Sequence, residues 1–356
     1  MSKYELLSEL IKIYEKEISK KVKNKRRIFR FELYKMEYLL SIQDELLNHT
    51  YDGGQYNLFL IHKPKTRLIM SQTIYDKIVN HYITRNILEP KLGKYLCDEN
   101  VATRLDMGTS YAIELFKKQL EYMKRYAEIY VLKLDISKYF YSIDHEVLKS
   151  LIKEDLAKEE FTLMKRIIDS TDAPYINEYI NRVNAKCENK IPYYNSGKGL
   201  PIGNMSSQFL AIFYLSGLHK YMKEELGLSH LIIYMDDYVI LHHNQAYLKE
   251  CLNKIENKLK EEYKLTLNKN KTVIRNIKYG IDFLGYTFKV VNKKTITKLT
   301  QDVKRKLIKN IKRLKYESEH DLIEFEGIFS AIMNYKHSYK YINKTKIEKM
   351  IGQYWY

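Results

Sequence analysis

A chain of 356 residues is long enough for one large packed unit or two to three smaller ones. Its 61 Lys and Arg residues outnumber its 44 Asp and Glu residues, and the net charge of +17 favours a polyanionic partner, usually nucleic acid. No apolar window approaches a membrane span, and the N-terminus lacks the apolar core of a signal peptide. Three widely spaced cysteines form no zinc pattern and no disulfide framework, so we expect a cytoplasmic protein without a membrane partner.

The first part of the chain is predicted to be helical, with a single β-hairpin. Apolar residues at helical spacing predict helices at residues 2–24, about 31–48, about 74–89 and about 110–127. A basic run occupies residues 20–27, between the first two helices. Strand-like runs at 56–61 and 68–70 flank a basic loop that contains Pro64, which predicts a β-hairpin.

The rest of the chain is predicted to mix strands and helices. Strands are predicted at 130–134, on both sides of residues 234–238, at about 272–276 and at about 281–290. Helices are predicted in most of 145–170 and at about 206–222, 245–262 and 299–316, the last of them strongly basic. Residues 171–198 are polar and predicted to be irregular, and a Gly/Pro loop at 197–204 precedes an apolar helix. This order indicates one α+β unit with helical additions at both ends.

An acidic pair, Asp236-Asp237, interrupts a run that otherwise has the composition of buried strands. Because Asp is depleted in strands, we expect a hairpin with both carboxylates at its tip, where a divalent cation would compensate their repulsion. The alternative is an ordinary hairpin whose turn happens to be acidic.

A third acid, Asp135, follows a hydrophobic strand directly. A strand end and a hairpin tip can meet in one sheet, and three carboxylates there could hold two Mg²⁺ ions. Such ions would activate a 3′-hydroxyl and neutralise the charge that develops on a triphosphate. We also expect the backbone N–H groups of Ile136, Ser137 and Lys138 to hold the triphosphate.

Five sequence blocks, taken in order, resemble those of reverse transcriptases. They are Asp135 with the aromatic Phe140 five residues later, residues 199–208, the Tyr-Met-Asp-Asp block at 234–237, residues 267–272 and residues 283–286. The hairpin at 56–70 and the basic helical segment at 299–356 extend the resemblance over most of the chain.

The resemblance implies an α+β right-hand polymerase with fingers, an antiparallel palm sheet and a helical thumb. It places the N-terminal extension and fingers at 1–128, the palm with part of the fingers inserted at 129–290, and the thumb at 291–356. The implied activity is RNA-directed DNA synthesis.

The catalytic residues implied by the resemblance are Asp135, Asp236, Asp237 and Lys271. The implied metal set is Asp135, Ile136, Asp236 and Asp237, with two Mg²⁺ ions or Mn²⁺ in their place, and Asp237 is expected to be engaged most weakly. Lys271 would protonate the leaving pyrophosphate, although a surface charge among neighbouring lysines explains it equally well.

The resemblance also implies a set of substrate contacts. Phe140 would be the steric gate that selects deoxynucleotides, the alternative being a core phenylalanine. Arg67 together with Lys63 or Lys65 would clamp the incoming triphosphate, and the sequence does not choose between the two lysines. The remaining expected contacts to nucleotide or primer come from Ile136, Ile202, Gly203 and Gln208, and from the primer grip Phe283, Leu284 and Gly285. We read His242 and His243 as structural or solvent-facing.

The block from Ile202 to Gln208 is most similar to the reverse transcriptases of diversity-generating retroelements, which are related to group II intron and phage-defence enzymes. Ile202 takes the place of a glutamine common in the wider family, which removes a hydrogen-bonding side chain beside the nascent base pair and predicts weaker base discrimination. An anti-phage defence enzyme working with a non-coding RNA is the alternative, and a non-catalytic RNA-binding protein with the polymerase fold is a remote one. The implied partners are an RNA template or non-coding RNA, a DNA or RNA primer, dNTPs and a small basic accessory protein.

Overall fold

A computed structural model describes residues 2–62, 66–104, 107–188, 190–342 and 344–355. The helices are α1 (Lys3–Ile13), α2 (Lys25–Leu33), α3 (Lys35–Leu47), α4 (Ile74–Ile83), α5 (Glu89–Leu92), α6 (Thr109–Met123), α7 (Tyr139–Ser142), α8 (His145–Ile152), α9 (Lys158–Asp169), α10 (Pro174–Asn184), α11 (Met205–Tyr214), α12 (Ser216–Glu224), α13 (Gln245–Glu261), α14 (Gln301–Glu319), α15 (Phe325–Ser338) and α16 (Lys344–Trp355). The strands are β1 (Asn57–Ile61), β2 (Arg67–Ser71), β3 (Tyr130–Asp135), β4 (Leu231–Tyr234), β5 (Asp237–His242), β6 (Val273–Asn276), β7 (Ile281–Phe283), β8 (Tyr286–Val291) and β9 (Lys294–Leu299).

A four-stranded sheet in the order β4-β5-β3-β6 lies at the centre of the molecule, and every pairing in it is antiparallel. Alternate side chains of β3 and β5 enter different hydrophobic clusters, as the two-residue period of a strand requires. Leu132, Leu134 and Ile240 pack in the cluster that includes α4 and α11. Val131 and Val239 pack on the other face. Because both faces are covered, the sheet is a rigid platform for the residues at its edge, and the expected α+β fold with an antiparallel central sheet is confirmed.

Two smaller antiparallel sheets flank the centre. Strands β1 and β2 form the hairpin predicted from the sequence. Strands β7, β8 and β9 form a three-stranded sheet that shares a hydrophobic cluster with α6, α14 and α16. The predicted division at 128/129 falls in the loop before β3, whereas the division at 290/291 falls inside β8.

Four local predictions differ from the structure. Residues 171–198, expected to be irregular, contain α10, where Pro174 occupies the first turn and Ile176 and Ile180 are buried one helical turn apart. The single helix expected at 206–222 is broken at Leu215 into α11 and α12. The strand expected at 281–290 is a hairpin of β7 and β8. Strand β9 lies at the start of the segment 291–356, for which the resemblance implies a helical thumb.

Candidate functional site

Three aspartates meet at one end of the central sheet. Asp135 is the last residue of β3 and lies opposite Asp237, the first residue of β5. Met235 and Asp236 form the two-residue turn between β4 and β5, since Tyr234 pairs with Asp237. The predicted hairpin is therefore present, but only Asp236 lies in its turn, because the register places Asp237 within the strand. Met235 has a φ of 58°, a left-handed conformation that costs a non-glycine residue about 1–2 kcal/mol.

The charges of these acids act on one another. The pKa of Asp236 is raised, first by burial of the carboxyl group and then by the negative charges of Asp237 and Asp135, while Lys271 opposes the shift. Carboxylate oxygens in such an arrangement are the ligands that Mg²⁺ and Mn²⁺ prefer, and a bound divalent cation would offset the repulsion that raises this pKa. The donor set therefore fits a divalent metal.

Asp135 is held from two sides by residues of the loop after α13. The Nζ atom of Lys271 lies 2.5 Å from its Oδ1, and Nδ2 of Asn268 donates to its Oδ2 at 3.0 Å. The backbone N–H of Asn268 also donates to the Asp135 carbonyl at 2.7 Å. Lys271 is thus the counter-ion of a predicted metal ligand, and Asn268 is a positioning residue that the sequence reasoning missed. Its only sequence signal was membership of the same short block as Lys271.

One backbone N–H group in the segment after Asp135 already donates a hydrogen bond within the protein. The Ser137 N–H donates to the Thr266 carbonyl at 2.9 Å, so the prediction that this amide holds a triphosphate is wrong. Ile136 forms a β-bridge with Leu267, and Lys138 adopts a left-handed conformation with φ 48° before α7 begins. Of the three predicted amides, only those of Ile136 and Lys138 stay candidates for phosphate binding.

Phe140 lies in the short helix α7 and is half-buried beside the main hydrophobic cluster. Its carbonyl accepts a 2.7 Å hydrogen bond from the N–H of Leu200, which places the Gly/Pro loop of residues 197–204 directly on this helix. Gly199 has a φ of 93°, and a Cβ at this residue would lie 2.6 Å from the ring of Tyr194. The loop therefore needs glycine at this position.

The same loop contacts the β1–β2 hairpin through Ile202 and Gly203. The Ile202 carbonyl accepts from the Met70 N–H at 2.9 Å, and a Cβ on Gly203 would lie 2.8 Å from the Met70 carbonyl oxygen. Gly203 also has a φ of 133°, so both close approach and backbone conformation require glycine. Ile202 is half-buried, and Gln208 is exposed on α11.

Of the residues predicted to clamp the triphosphate, the structure describes Arg67. Arg67 is exposed at the start of β2, near enough to α7 for its charge to lower the pKa of Tyr141, which burial otherwise raises. Lys63 and Lys65 lie outside the described residues.

The predicted primer grip is the turn of the β7–β8 hairpin. Leu284 and Gly285 have φ values of 46° and 85°, the signs of a two-residue turn that matches strand twist. Phe283 is buried against Phe116, with the ring centres 5.6 Å apart. The buried Phe283 therefore holds the turn in position, with the backbone of Leu284 and Gly285 at its tip.

A buried histidine of α8 supports the Gly/Pro loop through the Gly199 carbonyl. His145 is fully buried, and its Nε2 lies 2.7 Å from the Gly199 carbonyl, while its Nδ1 lies 3.1 Å from the Asp169 carboxylate. Ligand atoms of His145, Asp169 and Asp172 lie within 4.8 Å of one another, a spacing that a metal ion could also use. Since the imidazole already bridges a carbonyl and a carboxylate, we read His145 as a support of the loop, which the sequence reasoning missed because its partners are distant in sequence.

The paired histidines lie at the opposite end of β5 from Asp237. His242 is half-buried at the end of β5, and the exposed His243 stacks on Tyr126 at 4.4 Å. This placement agrees with a structural or solvent-facing role.

Comparison with known proteins gives the family. Residues 61–288 match the reverse transcriptase (RNA-dependent DNA polymerase) family, which is well over half of the chain. The chain belongs to that family. The matched segment contains the three aspartates, the Gly/Pro loop and the turn of the β7–β8 hairpin, so the candidate site lies inside the reverse transcriptase domain.

A curated relative is a putative COX1/OXI3 intron 2 protein of Saccharomyces cerevisiae, 24% identical in an alignment covering 45% of this chain and 24% of that protein. A telomerase from Candida albicans, solved with a TWJ fragment of telomeric RNA, is structurally similar with a TM-score of 0.51 and 13% identity, over 87% of this chain and 61% of that one. An apo telomerase from Candida tropicalis, truncated from its C-terminal domain, has a TM-score of 0.47 and 15% identity, over 68% of this chain and 55% of that one. The chain thus spans about a quarter of the curated relative and little more than half of these structures. The Candida albicans match supports the polymerase fold.

Among the described residues, no helix combines the length and apolar character needed to cross a membrane.

Proposed function

We propose that this reverse transcriptase makes DNA on an RNA template from dNTPs, with two Mg²⁺ ions, or Mn²⁺, at Asp135, Asp236 and Asp237. The observation that carries the proposal is the register of the central sheet, which sets Asp135 opposite Asp237 with Asp236 in the adjoining turn. The bound ions would supply activation of the primer 3′-hydroxyl and neutralisation of charge on the triphosphate. Ile136 completes the proposed metal set.

The protein's own residues would position the nucleotide. Arg67, with Lys63 or Lys65, would bind the triphosphate, and Arg suits this role because its planar fork matches phosphate geometry. Phe140 would lie under the sugar and exclude a 2′-hydroxyl. Ile202 and Gly203, which are fixed to β2 through Met70, would contact the nascent base pair.

The Lys271 side chain would occupy two positions during the catalytic cycle, one paired with Asp135 and one released from it. Its Nζ atom pairs with Asp135, and its side chain is 46% exposed, so it can leave when a cation takes its place on the carboxylate. The freed ammonium would then be available to protonate the leaving pyrophosphate.

The template and primer would bind along basic surfaces and the β7–β8 turn. Exposed cations line one side of α14: Lys304, Arg305, Lys306, Lys309, Lys312 and Arg313. Lysines and arginines in such a row bind phosphates and make affinity fall with salt. The related telomerase of known structure was solved with an RNA fragment, which agrees with an RNA partner for this chain.

The activity is tested by primer extension on RNA with dNTPs and Mg²⁺. Asp236→Asn and Asp237→Asn should each lower the extension rate by about 10²-fold or more while RNA binding persists, because each keeps the side-chain shape and removes a charge. The matched control is Asp98→Asn, whose side chain is 93% exposed, and it should extend at the wild-type rate. Undiminished extension by Asp236→Asn would refute the metal role.

We further propose that the enzyme belongs to the diversity-generating type and copies RNA with errors concentrated at adenines, with help from a small basic accessory protein. The support is Ile202, whose apolar side chain cannot hydrogen-bond to the nascent base pair. Ile202→Gln should reduce misincorporation opposite template adenine, as counted by sequencing of the cDNA. A defence enzyme would instead co-purify with one non-coding RNA and make cDNA during phage infection.

A further inference from the structure

A second cavity lies at the end of the central sheet that is remote from the three aspartates. Its volume is about 360 Å³, and its wall comes from the loop after α6, from residues 276–278 and from the turn between β8 and β9. Strand β5 separates it from the acids, since Asp237 begins this strand and His242 ends it. At about 3.4 Å per residue, the two ends of the strand are about 17 Å apart.

A row of four aromatic rings leads to this cavity. Tyr126 lines the wall and stacks on His243, with the ring centres 4.4 Å apart and the planes 11° from parallel. His243 stacks on His242 at 4.5 Å, and His242 contacts Tyr247 at 5.0 Å. Tyr126 is the end of the row and is 36% exposed. Among the described residues no second ring lies against it, so its other face can accept a base.

The wall of the cavity is basic. It contains Lys124, Lys278 and Lys293, and Glu128 is the acidic residue among those described in it. Glu128 lies 3.6 Å from the Lys278 ammonium and also accepts a hydrogen bond from the amide of Asn276. Three lysines against one carboxylate leave an excess of positive charge beside the exposed Tyr126 ring.

Lys293 is held at the cavity by an unusual backbone conformation. Asn292 and Lys293 form the two-residue turn between β8 and β9, and both are left-handed, with φ values of 48° and 59°. Asparagine tolerates this conformation, whereas it costs a residue such as lysine about 1–2 kcal/mol. The hairpin is tied to α6, because the Thr295 hydroxyl donates to Glu121 at 2.8 Å. The ammonium of Lys293 is therefore carried by a turn whose position is fixed.

The combination of an open ring face and lysines identifies the chemistry of the ligand. Proteins hold unpaired nucleotides by stacking the base on an aromatic side chain and binding the phosphates with cations. A base pair inside a duplex cannot offer its face in this way, because neighbouring pairs cover it. The cavity volume also lies within the range of small-ligand sites, about 300–1,000 Å³, which suits a single nucleotide.

We propose that this cavity binds one unpaired nucleotide of a nucleic-acid strand, with the base on Tyr126 and the phosphates on Lys278 and Lys293. His243 and His242 support the Tyr126 ring on its covered face. Two strands offer this chemistry, the part of the RNA outside the primer–template duplex and the released cDNA. The site requires neither dNTP nor metal, so the inference does not rest on the proposed polymerase function.

The test is fluorescence anisotropy with short single-stranded RNA and DNA of one sequence, at several salt concentrations and without dNTP or metal. Excess unlabelled, flush-ended RNA–DNA duplex occupies the polymerase cleft. Tyr126→Ala should weaken binding about tenfold, whereas Tyr126→Phe, which keeps the ring, should bind within about twofold of the wild type. Lys278→Gln and Lys293→Gln should each lower the salt slope by about 0.7. Tighter binding of RNA or of DNA identifies which strand the site serves.

The matched controls are exposed residues of the same types at other places in the fold. Tyr4 is 87% exposed and the Lys220 side chain is 72% exposed, so Tyr4→Ala and Lys220→Gln should bind both oligonucleotides as the wild type does. Photocrosslinking of RNA that contains 4-thiouridine, mapped by mass spectrometry, should label the segment around Tyr126 in the wild type.

Four results would overturn the proposal. They are wild-type affinity of Tyr126→Ala for both oligonucleotides, an equal loss in Tyr4→Ala, an unchanged salt slope in both cavity lysine variants, and crosslinks confined to other segments. Displacement of the RNA by millimolar inorganic phosphate, together with wild-type affinity in Tyr126→Ala, would assign the cavity to a small anion instead. Thermal melting of each variant checks that it is folded.

Discussion

Replacement of Lys271 by glutamine should tighten metal binding. The Lys271 ammonium occupies Asp135 at 2.5 Å, and a cation must displace it before it can use that carboxylate. The Asp135 side chain is 10% exposed and the lysine 46%, so solvent screens the pair and its strength belongs near the upper end of exposed ion pairs, about 1 kcal/mol. Loss of this competitor should raise affinity about fivefold, since 1.4 kcal/mol corresponds to tenfold.

The assay is isothermal titration calorimetry with Mn²⁺ on wild type, Lys271→Gln and the control Lys269→Gln. Lys269 is an exposed lysine in the same loop, and its loss changes the net charge equally without freeing Asp135. Asn268 continues to hold Asp135 in all three proteins. Unchanged or weaker Mn²⁺ binding in Lys271→Gln would refute the competition between lysine and metal.

The same variant decides between the two readings of Lys271. A general acid contributes about 10²–10⁴-fold to a reaction rate. If Lys271 protonates pyrophosphate, the single-turnover extension rate at saturating metal should fall by about that factor even though metal binds more tightly. An unchanged rate would leave Lys271 as a counter-ion of Asp135.

Three further predictions concern the Gly/Pro loop, the buried His219 of α12 and the sugar of the incoming nucleotide. Gly203→Ala should cost about 2–3 kcal/mol of unfolding free energy in urea, because its Cβ would meet the Met70 carbonyl at 2.8 Å with φ 133°, whereas Gly227→Ala, in open space with φ 56°, should cost about 1–2 kcal/mol. Burial lowers the pKa of His219 to about 3, so the unfolded chain takes up a proton below about pH 6.5 that the folded protein does not. Stability should therefore fall by about 2 kcal/mol from pH 7 to 5 through this residue, and His219→Gln should lose that much less in urea titrations. Phe140→Ala should raise incorporation of ribonucleotides relative to deoxynucleotides in primer extension, and an unchanged ratio would reduce Phe140 to a packing role.

The sequence predicted those parts of the fold that have a local signal. Strand β3, the β1–β2 hairpin and helix α13 follow from apolar periodicity, and the acidic hairpin follows from two strands flanking a polar interruption. Helix α10 was not predicted because polar residues surround its two buried isoleucines in the sequence. Strand β9 was not predicted because its lysines resemble those of the basic segment that follows it. Tertiary packing decides such segments.

The residues of the candidate site likewise separate into those with a local sequence signal and those that only tertiary contacts reveal. The acidic pair was predicted from a polar interruption between two strands, and Asp135 from its place at the end of a third. The primer-grip block at 283–286 was implied by the family resemblance, but the turn inside it was expected to be continuous strand. Asn268 and His145 act through partners that are 133 and 54 residues away, and neither has a local signature.

The central claim, that Asp135, Asp236 and Asp237 form the metal site of an RNA-directed DNA polymerase, is tested most directly by primer extension with the purified protein. An RNA template, an annealed primer, dNTPs and Mg²⁺ should give cDNA with the wild-type protein and extension slower by about 10²-fold or more with Asp236→Asn, although both bind the RNA. Equal extension by the two proteins, or none by the wild type on any RNA including transcripts of its own locus, would contradict the account.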